Sequence, residues 1–212
     1  MKYKINQYEK LNLLQKWAET DTFTEDRYKQ FFHFFPKNCL KVLDLGCSTG
    51  RWGAILKKLD KDFIIIGIYI VKSRLEQIPP NIYYQTINCL STSIPLDDCS
   101  VDVVVAGEFI EHLYPIDIDR TFNEIFRILK VGGRLLLTTP NPMDIKRKFR
   151  NESILNNHHL SQHYPKTLKL RLQMIGFSKI KIFGSGQVTR FLGYRFPIIH
   201  IYGSYLALGD KF

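Results

Sequence analysis

Several things are missing from this chain. It has no Gly-x-Gly-x-x-Gly run and no Gly-Lys-Ser/Thr, which excludes the usual pyrophosphate cradle and the P-loop. Cysteine is sparse: Cys39, Cys47, Cys89 and Cys99 form no Cys-x-x-Cys pair, so neither a disulfide scaffold nor a zinc ribbon is expected. The N-terminus carries no signal-peptide pattern, and a reducing, cytoplasmic setting is the expectation. The apolar stretch from Phe63 to Val71 is too short to span a bilayer and reads as a central parallel strand. There is no internal repeat, no low-complexity tract and no recognisable RNA-binding module. Acidic residues are scarce in the last third. From Pro140 to Phe212 there are 12 Lys/Arg against 3 Asp/Glu, a net of +9 out of +10 for the whole chain. A surface of that sign concentrates anionic ligands.

What is present is ordinary globular chain. At 212 residues and 45% hydrophobic, it is long enough for one α/β domain with a sizeable core. Helical patterns cover Tyr8 to Glu19 and Glu25 to Phe35, with Thr24 as N-cap of the second. Strands then alternate with helices. Strands are expected at Leu40 to Leu45, Phe63 to Tyr69, Ile82 to Asn88, Val101 to Ala106, Arg134 to Thr138, Phe177 to Phe183 and Tyr205 to Leu208. The helices between them are expected at Arg51 to Leu59, Lys72 to Gln77, Ile118 to Leu129 and Lys166 to Ile175. This alternation predicts a single doubly wound, mostly parallel α/β sheet with helices on both faces. The aromatic stretch from Gly184 to Gly203, interrupted by Pro197, is expected to be a substrate-facing loop or an oligomer contact.

One segment carries more chemistry than the rest. In Val42-Leu43-Asp44-Leu45-Gly46-Cys47-Ser48-Thr49-Gly50-Arg51-Trp52-Gly53, a buried strand runs into an acidic residue, a glycine-bearing turn and a helix. Glycine lets backbone approach a ligand closely, and the helix start presents free N–H groups. Asp44 makes the site unsuited to phosphate and suited to a cation.

This segment resembles the first motif of the class I S-adenosylmethionine (SAM)-dependent methyltransferases, and two later segments extend the likeness. Val101-Asp102-Val103-Val104-Val105-Ala106-Gly107-Glu108-Phe109-Ile110-Glu111-His112-Leu113 resembles the family's fourth-strand motif. Asn123 to Pro140, with Gly132-Gly133, resembles its helix, turn and fifth strand. The likeness is closest to the small-molecule methyltransferases. It implies a Rossmann-like domain of seven strands, the last antiparallel, over residues 37–212. Residues 1–36 would be a helical segment or lid, and substrate-side elements would lie mainly in 140–204. It implies SAM as cofactor, with S-adenosylhomocysteine as product. The matching cofactor positions are Asp44, Gly46, Cys47, Ser48, Gly50, Tyr69, Asn88, Cys89, Leu90 and Gly107. Asp44 would face the cationic aminoacid end of SAM.

The chain also departs from that pattern. Where the family usually ends its second strand with a ribose-binding carboxylate, this chain has Gly67-Ile68-Tyr69. Hydrogen bonds to charged groups are worth roughly 1.5–3 kcal/mol, so the loss would weaken SAM roughly tenfold to a hundredfold. Asn88-Cys89-Leu90 stands where an Asp usually meets the adenine, Ser48 where a second glycine is common, and Val131 where Pro precedes the glycine pair.

The chemistry needs alignment above all, and for a hydroxyl acceptor a base. His112 is the candidate catalytic residue. His158, His159 and His163 have a spacing that can suggest a metal site, but the only carboxylate close in sequence is Glu152, so no metal is expected. Lys146, Arg147, Lys148 and Arg150 are candidates for contacting an anionic group. The function expected is methyl transfer to a small or medium-sized, anionic acceptor. The alternatives are RNA or tRNA methylation and a non-catalytic binding or regulatory protein retaining the fold. No membrane span is expected, and the oligomeric state is left open.

Overall fold

The computed structural model describes residues 2–13 and 23–212. Two helices lead, α1 (Lys2–Leu13) and α2 (Phe23–His33). Then come β1 (Lys41–Leu45), α3 (Arg51–Leu59), β2 (Ile64–Tyr69), α4 (Lys72–Leu75), β3 (Gln85–Asn88) and β4 (Val101–Gly107). After a 3₁₀ turn at Ile110–His112 follow α5 (Pro115–Ile128), β5 (Leu129–Pro140), α6 (Ile145–Phe149) and α7 (Pro165–Ile175). The chain continues with β6 (Ser178–Ser185), α8 (Thr189–Leu192), a second 3₁₀ turn (Ile199–Ile201) and β7 (Ser204–Asp210).

The seven strands form one sheet in the order β3-β2-β1-β4-β5-β7-β6. β1 to β5 pair in parallel, and β7 runs antiparallel to both β5 and β6. Side chains alternate across each strand and sort into two cores. Leu43, Leu45, Ile66, Ile68, Val104 and Ala106 meet α5 and α7 through Ile118, Phe122, Ile125, Leu168 and Leu172. Val42, Ile65, Val103 and Val105 face the other way, onto Tyr28 and Phe31 of α2 and Trp52 and Leu56 of α3. Strands buried on both faces explain the near-continuous apolar runs. Strand order reverses between β1 and β4, which opens a crevice at their carboxyl ends.

Some boundaries differ from expectation. The first helix begins at Lys2 and is described as far as Leu13; the rest of the expected Tyr8 to Glu19 helix lies outside the described residues. Thr24 does not cap α2 but sits inside it, buried. Thr24, Arg27, Tyr28 and Phe31 make a buried face at i, i+3, i+4 and i+7, and that packing carries the helix past the expected cap. Pro115 opens α5 one turn before Ile118, as a first-turn proline can. The Gly132-Gly133 segment is held in β5 by pairing with the chain's end: Gly132 N–H donates to Lys211 O and Lys211 N–H to Gly133 O. Tyr8 of α1 joins the first core and Tyr28 of α2 the second. Among the described residues, no helix is long and apolar enough to cross a membrane.

Candidate functional site

The crevice is built by the ends of β1, β2, β3 and β4. At the end of β1 the backbone turns sharply, with φ of 90° at Gly46, 49° at Ser48 and 86° at Gly50. All three lie in the left-handed region, which explains why a second glycine is common where Ser48 stands. Gly46 and Cys47 N–H groups donate to Ile68 O, locking this turn to β2. A cleft follows, lined by Leu45 and Gly46, Ile68 to Ile70, Cys89 to Thr92, Gly107 to Phe109, His112 and Leu113. Tyr8 and Asn12 of α1 close one side of it. Of the residues expected in a cofactor site, Gly46, Tyr69, Cys89, Leu90 and Gly107 line this cleft, together with His112.

Asp44 is not among the residues that line it. It is fully buried; Tyr28 Oη donates to Oδ1 at 3.0 Å and Tyr83 Oη to Oδ2 at 2.6 Å. Burial raises its pKa from 3.8 to about 7, against the lowering effect of the two tyrosine hydrogen bonds. Tyr83 Oη in turn accepts from Gly53 N–H at 3.0 Å, and Tyr28 stacks on Trp52 with ring centroids 5.2 Å apart. Asp44 therefore ties α2, α3 and the segment before β3 to β1. Cys47, Ser48, Gly50 and Asn88 are likewise not among the lining residues. Asn88 is a staple: its amide donates to Tyr69 O at 3.0 Å and Ile70 O at 2.7 Å.

Tyr69 is buried at the β2 end, at the position expected for the ribose carboxylate. Its hydroxyl donates to Asn12 Oδ1 at 3.2 Å and accepts from Arg74 Nη1 at 3.0 Å. Asn12 and Tyr8 had no signal in the motif reading, because α1 is remote in sequence and its composition is unexceptional. Tyr8 Oη donates to Asp117 Oδ2 and accepts from Tyr114 N–H, both at 2.9 Å, which docks α1 on α5.

The turn after β4 is more densely charged than expected. Glu108 adopts φ of 49° and faces Arg27 Nη2 at 3.6 Å. Glu111 is fully buried; its Oε2 accepts from Thr139 Oγ1 at 3.0 Å. Burial first, then the charge of Glu108, holds its carboxyl well above the usual carboxylate range. His112 Nδ1–H donates to the carbonyl of His158 at 2.9 Å, which fixes its tautomer. Burial lowers its pKa to about 4. A base that weak gives little driving force for removing a hydroxyl proton at neutral pH. The three histidines expected as a cluster divide. His163 Nε2 bonds Ser161 Oγ at 2.9 Å, while His159 turns to His112, ring centroids 5.0 Å apart.

A second cavity of about 540 Å³ opens across Gly107 and Glu108. Phe23, Thr24, Arg27, Trp52, Asp144, Lys146, Ser185 to Val188 and Ile201 to Ser204 complete its lining. Most of these come from the segments expected on the substrate side.

A nucleotide-type crevice at a sheet switch point, with a glycine turn beneath it, defines a ligand-binding α/β domain. A family model described as a methyltransferase domain matches residues 43–137. A malonyl–acyl carrier protein O-methyltransferase of Coxiella burnetii is 28% identical over 125 residues, 57% of this chain and 41% of that protein. A demethylmenaquinone methyltransferase of Lactococcus lactis is 30% identical over 145 residues, 64% and 55%. The chain thus spans about half the length of these relatives, or less. A solved SAM-dependent methyltransferase from Archaeoglobus fulgidus superposes with a TM-score of 0.69 at 21% identity, over 88% of this chain and 92% of that one. The chain thus carries a methyltransferase-domain match over residues 43–137 and shares the fold of a solved SAM-dependent methyltransferase.

SAM is the cofactor named for several similar proteins, and the cleft suits that group at the glycine turn. A Cβ at Gly46 would lie 2.7 Å from Phe109 Cδ2, so only glycine leaves the cradle open. Leu90, Ile70 and Phe109 give the cleft apolar walls.

Proposed function

We propose that this enzyme methylates an anionic small or medium-sized acceptor held in the cavity on the far side of Gly107 and Glu108. One observation carries the reading: the two cavities share those residues, and Arg27 and Lys146 line the second. The net charge of +9 in the last third supports the same sign of ligand. The names of two relatives, acting on a carrier-bound malonyl group and on a quinone, are in keeping with a small-molecule acceptor.

SAM supplies an electrophilic methyl group on a sulfonium, so the protein's task is alignment. Gly46 gives backbone approach without a side chain. Tyr69, held by Asn12 and Arg74, forms the wall at the ribose position. Phe109 and Leu113 exclude water beside the reacting centre. Tyr8 and Asn12 make α1 a lid over the cleft. Four free thiols, Cys39, Cys47, Cys89 and Cys99, suit work in a reducing cytoplasm.

The test is transfer of labelled methyl from SAM to two sets of acceptors. One set is small carboxylates, phosphates and phenols; the other is total tRNA. Labelling among the small anions is expected. Labelling confined to tRNA, with a steep salt dependence of binding, would overturn the reading in favour of RNA modification. No labelling and no thermal stabilisation by S-adenosylhomocysteine would point to a non-catalytic protein.

A further inference from the structure

The 3₁₀ turn after β4 and the loop before α7 meet beside the cofactor cleft. Glu111, His112 and His159 each bring one ligand-capable atom there, and these atoms lie within 4.8 Å of one another. Glu111 Oε1 is buried and accepts no hydrogen bond; His112 Nε2 stands 3.9 Å from it. Both imidazoles are fixed in the same tautomer. His112 Nδ1–H donates to His158 O at 2.9 Å, and His159 Nδ1–H to Ile154 O at 3.1 Å. A carbonyl can only accept, so in each ring the Nε2 carries the lone pair. An outer hydrogen bond from the second ring nitrogen is how metal-binding histidines are oriented. The loop is pinned in place: Leu160 and Ser161 N–H groups both donate to Glu111 O, at 2.7 and 3.1 Å, and Ser161 Oγ donates to Ile110 O. Thr139 Oγ1 holds the other oxygen of Glu111.

We propose that Glu111, His112 and His159 bind one divalent first-row transition metal ion at the edge of the cofactor cleft. Two imidazoles with a carboxylate suit the borderline cations Mn²⁺, Co²⁺ and Zn²⁺ better than Mg²⁺ or Ca²⁺, which favour oxygen alone. Bonds of ~2.1 Å place neighbouring ligand atoms roughly 3–3.5 Å apart, so the cluster closes by about an ångström on loading. His112 lines the cleft, so the ion has a face toward the ligand space. There it takes an oxygen of the acceptor as a further ligand.

The experiment uses untagged protein stripped with a chelator and titrated with Co²⁺. Visible d–d absorption and calorimetry are read together, and Mn²⁺, Zn²⁺ and Mg²⁺ are then compared by calorimetry. One equivalent of Co²⁺ is expected, with Mg²⁺ at least tenfold weaker. His159→Asn and Glu111→Gln should each weaken Co²⁺ at least tenfold, while His200→Gln, at an exposed histidine elsewhere, leaves it unchanged. Stabilisation by S-adenosylhomocysteine reports that each variant is folded and keeps its cofactor site. It also separates failure of the metal site from failure of the methyltransferase reading. If Glu111→Gln does not fold, the half-buried His159 variant decides alone. The proposal is overturned if wild type shows no stoichiometric Co²⁺ binding at millimolar metal, or if folded His159→Asn binds as tightly as wild type.

Discussion

Tyr83 donates a 2.6 Å hydrogen bond to Asp44 across 39 residues of sequence, and that contact seals the carboxylate expected to face the cofactor. With Tyr28 on its other oxygen, Asp44 becomes a buried joint between β1 and the elements packed around it.

The pH dependence of stability follows. Burial raises Asp44 to about 7, so the folded chain keeps a proton that the unfolded chain loses near 3.8. The folded state binds more protons across that window, so this group's contribution to stability falls as pH rises from about 4 to 7 and levels off above. Asp44→Asn removes the effect. Relative to wild type, its unfolding free energy should rise by up to roughly 4 kcal/mol from pH 4 to pH 7. Urea titrations at several pH values check this; parallel curves for the two proteins would refute it.

His163 works in the opposite sense. Its folded pKa is depressed to about 4 by burial. It stays neutral in the fold while the unfolded chain charges below 6.5, so stability is complete above that value and lost as pH falls toward 4. His163→Gln should flatten this acid slope, by up to roughly 3 kcal/mol across the window. His112 shifts the same way, so the variant keeps part of the slope. An unchanged slope in denaturant melts would count against a buried neutral His163.

The strands, their direction and the cleft were legible because strong periodicity and three motifs mark them. β1, α3, β2 and β4 fall within a residue or so of expectation. What stayed hidden depends on side chains that meet only after folding. Nothing in the local sequence says that Asp44 will be met by two tyrosines, or that Asn12 will reach Tyr69. His159 offered a spacing, but the carboxylate beside it, Glu111, lies in another motif, and only the loop's backbone bonds to Glu111 bring the two together. Thr24 misled because cap composition is a weak signal beside a buried helix face.

Lys146 tests the acceptor's charge. Lys146, Lys148 and Arg150 are all exposed, but of these Lys146 is the one that lines the second cavity. Lys146→Gln should raise KM for an anionic acceptor about tenfold if one charge-assisted contact of ~1.4 kcal/mol is lost, with S-adenosylhomocysteine affinity unchanged. Lys148→Gln should do neither. Equal loss in both variants would mean a general surface field and no specific contact.

Tyr69 tests the cofactor pose. Its hydroxyl already gives its proton to Asn12 and accepts from Arg74, so little capacity is left for two ribose hydroxyls. A carboxylate can accept from both. Tyr69→Asp should tighten SAM up to about tenfold, the equivalent of ~1.4 kcal/mol. Two effects oppose it: the buried ring's packing is lost, and Arg74 can pair with the new charge. Tyr69→Ala carries the packing loss alone and is the reference. In calorimetric titrations the order of affinity should be Asp above Ala, with wild type between or close to Asp. Adding Arg74→Gln to Tyr69→Asp should free the carboxylate and widen the gap. If Asp binds no better than Ala in either background, residue 69 does not stand beside the ribose, and the second strand contributes to the cofactor site in another way.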